Sequence, residues 1–308
     1  MIRLSPPNHE RLDFATRVDF KVGGSESNVA VALSRLGLKA GWISKLTDNA
    51  LGRRIENELK RWDVNVEGII WTPEYRIGTY YAEFGSDPRP TNILYDRKDS
   101  AFSHITTEEL DWTYLESCRL FHTSGITMAL SPNCDQVVKA CFEYMREKEK
   151  ATSFDINYRS KLWAPEEAKI RISVILPFVD ILISSESDVN LLFGETENLR
   201  EKCAELMDRY SLKVVVITRG PDPPFVLNEE GEEYWGKGYH PAVIDRIGAG
   251  DAFDAGFLYG YLTGNLETAL SYGEAMSALK FSVPGDFAII NKSEVEEFIR
   301  KGGYWIKR

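Results

Sequence analysis

From Leu120 onward, short apolar runs alternate with segments of helical period. The runs are LFHTSG at 120–125, ATSFDIN at 151–157, VDILISS at 179–185 and VVVIT at 214–218. Between them Val137, Val138, Cys141, Phe142 and Met145 recur on one helical stripe, and Glu197–Tyr210 reads as a second helix. Apolar strands separated by helices predict a parallel sheet covered on both faces. Residues 26–71 continue the pattern: Val29, Ala32, Leu33 and Leu36 recur at i, i+3, i+4 and i+7, and Gly37 stands at the C-cap position. A strand at Ala40–Lys45 and a helix near Arg53–Trp62 follow.

The periodicity then changes. Residues 78–84 (GTYYAEF) and 92–95 (NILY) read as extended segments around the turn-rich SDPRPT, with no helix between them. With Phe20–Gly23 and the N-terminal residues they predict a small β-lid set on the sheet; the alternative is that these strands extend the main sheet. The expected division is an α/β body at 26–71 and 104–308, with a discontinuous lid at 1–25 and 72–103. Farther on, Pro224–Asn228 and Glu232–Gly236 flank a turn and predict a hairpin. Three helices close the chain, near Gly250–Thr263, Leu266–Ser282 and Ser293–Arg300.

Composition narrows the function classes. With 308 residues, 43% hydrophobic and 27% charged, the chain can bury a large core. Lys+Arg 37 against Asp+Glu 47 gives a formal charge of −10, which argues against a nucleic-acid or anionic-membrane surface and requires a local basic pocket for any anionic substrate. Cys118, Cys134, Cys141 and Cys203 form no CxxC pair and read as packed, reduced thiols. No stretch reaches the ~18–20 apolar residues of a membrane span, and MIRLSPPNHERLD lacks a signal-peptide layout, so a cytoplasmic protein is expected.

Three segments carry chemistry. In DRIGAGDAFDAGF, residues 245–257, Gly248 and Gly250 allow a tight turn and close approach to a ligand. The apolar stripe after Asp251 starts a buried helix there, whose N-terminus aims free N–H groups forward. That layout suits a phosphoryl group, and Asp251 could take the proton of an attacking hydroxyl. Taken alone, the same residues read equally as a capped helix after a glycine turn. GGSESNVAVALSRLG at 23–37 places small polar side chains and Asn28 before a helix, suited to a polyol or to ordinary capping. In DINYRSKLW at 155–163, an extended backbone would put Asp155, Asn157 and Arg159 on one face at the carboxyl end of a strand, where open α/β sheets bind ligands. A surface salt-bridge cluster is the competing reading. No GxxxxGK[ST] occurs, and no GxGxxG opens a first strand–helix unit.

Together these segments resemble the ribokinase-like (PfkB) carbohydrate kinases: GGSESNVAVALSRLG is similar to the family's N-terminal signature and DRIGAGDAFDAGF to its C-terminal one. The resemblance implies a doubly wound, mostly parallel sheet with helices on both faces and a β-sheet lid, and an ATP- and Mg2+-dependent phosphorylation of a sugar hydroxyl. It further implies Asp251 as base, Gly248, Ala249 and Gly250 with Asp251 as the anion hole, and pairing of two or more subunits through the lid. GTYYAEFG, YDRKDSAFS, FHTSGIT and DINYRSKLW are similar to the branch acting on 2-keto-3-deoxygluconate. By that resemblance Gly24, Ser25 and Asn28 hold sugar hydroxyls, Tyr80 and Tyr95 line the pocket, and Arg97 and Arg159 meet a sugar-acid carboxylate. Nucleotide contacts fall to Asn157, Arg159, Thr218, Gly220, Gly248 and Gly250. A kinase of a neutral sugar, such as a fructokinase, and a silent sugar-binding homologue are the alternatives.

The chain departs from the family pattern in three places. The family begins with a strand containing Gly-Glu or Gly-Asp about ten residues upstream of the stretch that opens here; the expectation is that a sheet strand is absent, leaving unpaired edges and apolar surface. The Asn-x-x-Glu that helps place magnesium reads Ser185-Glu186-Ser187-Asp188, which leaves Glu186 and Asp188 as candidate metal ligands. The nucleotide loop, ITRGPDPPF, keeps Gly220 but carries prolines where the family has smaller residues.

Overall fold

The computed structural model describes residues 1–302. Its strands and helices run in the order β1 (Ile2–Ser5), β2 (Asp19–Val22), α1 (Ser25–Arg35), β3 (Ser44–Thr47), α2 (Ala50–Arg61), β4 (Ile69–Thr72), β5 (Thr79–Glu83), β6 (Asn92–Asp96), α3 (Trp112–Glu116) and β7 (Leu120–Ser124). There follow α4 (Gly125–Ala129), α5 (Pro132–Glu147), β8 (Ala151–Asp155), α6 (Pro165–Ile175), β9 (Ile181–Ser185), α7 (Glu186–Phe193), α8 (Leu199–Tyr210) and β10 (Val214–Arg219). The hairpin β11 (Asp222–Asn228) and β12 (Glu233–Trp235) and helices α9 (Ala249–Thr263), α10 (Leu266–Lys280) and α11 (Lys292–Lys301) complete the order.

The main sheet has the order β12-β11-β10-β9-β8-β7, with β7 to β10 parallel and the hairpin antiparallel at one edge. Alternation along each strand assigns the two faces. Ile181, Ile183, Val214 and Val216 pack with α1, α9 and α10, while Leu182, Val215 and Ile217 pack with α6, α7 and α8. Both faces are therefore dry, which is why these strands read as unbroken apolar runs.

The lid is a separate sheet, β2-β1-β5-β6, and not an extension of the main one. In it β1 pairs antiparallel with β2 and parallel with β5. β3 and β4 form a third, two-stranded sheet. The expected strand at Ala40–Lys45 starts later, at Ser44, because Gly41 makes only an isolated bridge to Asn65. Helix α6 was hidden in the pattern since Ile170 and Val174 are 67% and 47% exposed and blur its apolar stripe. All four cysteines are free thiols, and Cys134, Cys141 and Cys203 are buried. Among the described residues no helix is long and apolar enough to cross a membrane.

Candidate active site

The expected phosphoryl end of the site is built by one continuous stretch. Gly248, with φ 84°, caps α9, and a Cβ there would lie 2.1 Å from the Asp286 carbonyl oxygen, so both conformation and space demand glycine. The turn belongs to Gly248; Gly250 is helical, and a Cβ on it would meet nothing within 4 Å. Gly250 instead keeps the ground in front of the helix open. Among the described residues the Gly248, Gly250 and Asp251 N–H groups have no acceptor, while Ala249 N–H reaches the Arg246 carbonyl at 3.3 Å. These unengaged amides sit at the positive end of a helix of 15 residues, a ready anion site.

Asp251 lies in the first turn of α9 and is 9% exposed. Its Oδ1 accepts from Ser25 Oγ at 2.7 Å and its Oδ2 from Asn28 Nδ2 at 2.6 Å. Both donors belong to α1, whose first turn is clamped by Glu26. Glu26 Oε1 accepts from Thr127 Oγ1 at 2.7 Å, Ser124 Oγ at 2.8 Å, Ser124 N–H at 3.1 Å and Thr123 Oγ1 at 3.2 Å. Ser25 and Asn28, expected to hold sugar hydroxyls, are thus spent first on the carboxylate. Burial pushes the Asp251 carboxyl up to about 6 against those two hydrogen bonds, with the Glu26 charge adding to the rise. A carboxylate so tuned is ionised at neutral pH and still basic enough to take a proton.

Two further buried carboxyls stand beside it. Asp155, at the end of β8, is pushed up to about 7 by burial and by the Asp251 charge. Asp254, one turn along α9, is raised well above its usual range by burial and by Asp155 and Asp251. Burial and mutual repulsion thus favour the protonated form in this pair and work against three negative charges in the cluster. The i, i+3 spacing of Asp251 and Asp254 was a signal available in the sequence. Asp155, Asn157 and Arg159 do converge here, but not by strand alternation: β8 ends at Asp155 and Asn157 turns the chain with φ 40°. Asn157 Nδ2 then reaches Ser25 Oγ at 3.3 Å, and Arg159 lies exposed near enough to Asp251, Asp155 and Arg97 for their charges to interact.

On the lid side, Arg97 is 8% exposed and its guanidinium stands 4.1 Å over the Tyr95 ring. Among the described residues it makes no hydrogen bond and no ion pair, and burial lowers its pKa. Tyr80, expected to line the pocket, is 3% exposed, donates its hydroxyl proton to Asp286 and holds its ring 5.8 Å from Tyr95. Gly24 is the N-cap of α1, and its carbonyl accepts from Ser27 Oγ.

The expected nucleotide side gathers around the ends of β9 and β10. Thr218 Oγ1 donates to the Ser184 carbonyl at 3.4 Å, and Gly220, with φ 64°, turns the chain into β11. Glu186 is engaged by Arg219 at 3.0 Å, whereas Asp188 forms no salt bridge among the described residues and accepts from Tyr158 N–H at 3.3 Å. No cluster of three His, Cys, Asp or Glu side chains among the described residues could hold a metal on its own.

One group had no local signal. Arg3, on β1, donates from NH2 to Asp245 Oδ2 at 2.8 Å and from NH1 to Asp286 Oδ1 at 2.9 Å, all three residues being buried. Asp245 also accepts from Ile247 N–H and Gly285 N–H, and the wholly buried Lys280 ammonium donates to the Asp245 and Val283 carbonyls. This cluster ties the lid to the loop that carries Gly248.

Comparison with known proteins gives the family. The pfkB family carbohydrate kinase profile matches residues 1–292. The 2-dehydro-3-deoxygalactonokinase of Haloferax volcanii is 40% identical over 309 aligned positions, covering 100% of this chain and 96% of that protein. The 5-dehydro-2-deoxygluconokinase of Bacillus subtilis is 28% identical, covering 97% of this chain and 91% of its own. The crystal structure of 2-dehydro-3-deoxygluconokinase from Thermotoga maritima superposes with a TM-score of 0.92 at 32% identity and covers 97% of both chains. With a glycine-led helix that carries a buried aspartate in its first turn and a separate β-sheet beside the main one, the chain belongs to the pfkB family of carbohydrate kinases.

Proposed function

We propose that this kinase transfers the γ-phosphoryl group of ATP to the terminal hydroxyl of a keto-deoxy sugar acid, 2-keto-3-deoxygluconate or a close epimer. Arg97 carries the reading. A buried guanidinium without a counter-charge is unfavourable by itself, and a substrate carboxylate removes that cost by binding it bidentately. Arg159, at the same mouth, adds a second positive charge. A neutral hexose gives neither arginine a partner. The three relatives named above all act, by their names, on keto-deoxy derivatives of sugar acids.

In the reaction Asp251 accepts the hydroxyl proton as the hydroxyl oxygen bonds to the γ-phosphorus and the bond to the leaving ADP oxygen breaks. Ser25 and Asn28 hold the Asp251 carboxylate in place, and the amides of Gly248, Gly250 and Asp251 donate to the phosphoryl oxygens as their charge rises. Magnesium fits as a companion of the nucleotide and not as a resident ion, because it keeps several waters and needs only one or two carboxylates. When bound, Mg2+ neutralises the phosphate charge. Asp188 would hold it, since Glu186 is occupied by Arg219. The lid edge, β6 with Leu94 60% exposed, is where a second subunit would pair.

The test is coupled ADP release over keto-deoxy sugar acids, fructose and ribose, for the wild type and Arg97→Met. The variant is expected to raise KM for the sugar acid about a hundredfold, the scale of one buried charge-assisted pair, and to leave KM for fructose unchanged. An equal loss for both sugars would transfer the assignment to a neutral-sugar kinase. Ligand binding with no ADP release at all would leave a silent binding protein.

A further inference from the structure

Of the three buried carboxyls at the end of β8 and the start of α9, the reaction above uses Asp251 alone. Asp155 and Asp254 are 8% and 2% exposed, and their surroundings supply few donors. Asp155 Oδ1 accepts from Asn157 N–H at 3.1 Å, while Asp254 Oδ2 is buried with no hydrogen-bond partner. The two carboxyls themselves lie within hydrogen-bonding reach of each other. An ionised carboxyl only accepts, so two of them facing each other in a dry site have repulsion and no hydrogen bond. One proton on either carboxyl turns the same contact into a bond.

The pair closes a ring of contacts around Asp251. Asp251 Oδ1 accepts from Ser25 Oγ at 2.7 Å, Ser25 Oγ accepts from Asn157 Nδ2 at 3.3 Å, and the Asn157 backbone is held to Asp155. Asp155 meets Asp254, which stands one turn of α9 beyond Asp251. Asn157 needs that hold, because its φ of 40° is a left-handed conformation that few residues other than glycine adopt. The step from Asp155 to Asp254 is the one link of the ring with no donor, and it is the link that ties β8 to α9.

The surrounding charges favour the same proton. Asp251 on α9 and Asp188 on α7 act on the pair through charge and raise it, Arg159 after β8 opposes them, and Glu26 on α1 acts on Asp251. Asp251 at about 6 lies below Asp155 at about 7 and below Asp254, which burial and its neighbours raise well above the usual range. Asp251 is thus the first of the three to ionise, and the pair holds the last proton.

We propose that Asp155 and Asp254 share one proton and act together as positioning residues, holding Asn157, Ser25 and the base Asp251 in line through a link between β8 and α9. The proposal rests on Asp251 being the base. In turnover the hydroxyl proton goes to Asp251, and the pair keeps both its proton and its single negative charge. Loss of the shared proton sets two like charges against each other and opens the ring.

Infrared difference spectra of the full chain at pH 8, wild type minus Asp254→Asn, test the proton without reference to activity. Asp251 is ionised there, so the C=O stretch of a protonated carboxyl in the wild type is expected from the pair. Absence of that band, as for two carboxylates bridged by water, would overturn the proposal.

Coupled ADP release tests the positioning. Asp254→Leu leaves Asp155 facing no donor and is expected to lower kcat about tenfold or more, while KM for the sugar acid moves less than about twofold. Asp254→Asn restores a donor beside a single negative charge, as in the protonated pair, and should bring kcat back to within about threefold of wild type. Equal losses in the two variants would reduce Asp254 to a packing residue and refute the link. If Asp254→Leu does not fold, the pH profile decides: wild-type kcat should fall on the alkaline side as the shared proton leaves, and Asp254→Asn should hold its plateau about one pH unit higher or more. Coincident alkaline limbs count against the proposal. The infrared band together with a kcat unmoved by Asp254→Leu would refute the positioning role, and the failure would belong to the base assignment only if Asp251→Asn were active as well.

Discussion

The lid carries two buried arginines, 2% and 8% exposed, in opposite electrostatic states. Arg3 is paired with Asp245 and Asp286 and hydrogen-bonded to Ser5 Oγ. Burial works to lower its pKa, but the two carboxylates outweigh it and raise it. Arg97 meets similar burial with no ion pair among the described residues, and its pKa falls. On this small sheet and its flank, Arg3 brings its counter-charges with it, and Arg97, in the proposed reading, leaves its counter-charge to a ligand. The same division separates the region behind the loop 245–248, where polar groups are paired, from the region in front, where helix amides stand open and Asp251 is held basic.

The largest expected effect lies in front. Asp251→Asn should lower kcat about a thousandfold with every sugar, about 4 kcal/mol of barrier, measured by coupled ADP release; turnover within about threefold of wild type would remove Asp251 from the base role.

Behind the loop the effect should move to stability. Arg3→Met leaves two buried carboxylates without their cation and is expected to cost about 3–5 kcal/mol in urea unfolding, while the KM for a sugar acid in the folded fraction changes less than about twofold. A large KM change with little loss of stability would erase the contrast between the two arginines.

A third prediction concerns pH. Because the folded-state pKa of Asp251 is raised from 3.8 to about 6, the native protein binds more protons than the unfolded chain between those values, and stability falls as pH rises through them. Asp251→Asn should therefore melt higher than wild type at pH 8, by up to about 3 kcal/mol, with the gap closing below pH about 4. Over the same window wild-type kcat should drop as pH falls through about 6, since the base becomes protonated. A pH-independent difference in melting would contradict a buried, titrating carboxylate. Arg97→Met should show the smallest effect, a melting temperature unchanged or slightly raised, because the site loses a charge that the protein itself does not compensate. A clear loss of stability would mean that Arg97 is structural after all.

How much of this was legible depended on distance along the chain. The turn at Gly248, helix α9 and Asp251 all lie within residues 245–257, so composition and period alone pointed to them. Helix α1 and the strand–helix alternation after Leu120 were readable for the same reason. The expectation for Asn157 and Arg159 had the right neighbourhood and the wrong geometry, since a left-handed residue in the middle of DINYR has no mark in the apolar pattern. Tyr80 and Glu186 carried the right chemistry but found partners inside the protein, Asp286 and Arg219.

Local periodicity therefore determined the elements, the two dry faces of the main sheet and the glycine-capped helix α9, because each depends on residues within a few turns of one another. Only the tertiary structure decided which buried charges are satisfied. Arg3 meets Asp286 across 283 positions and Ser25 meets Asp251 across 226, contacts set by the order in which strands and helices stack.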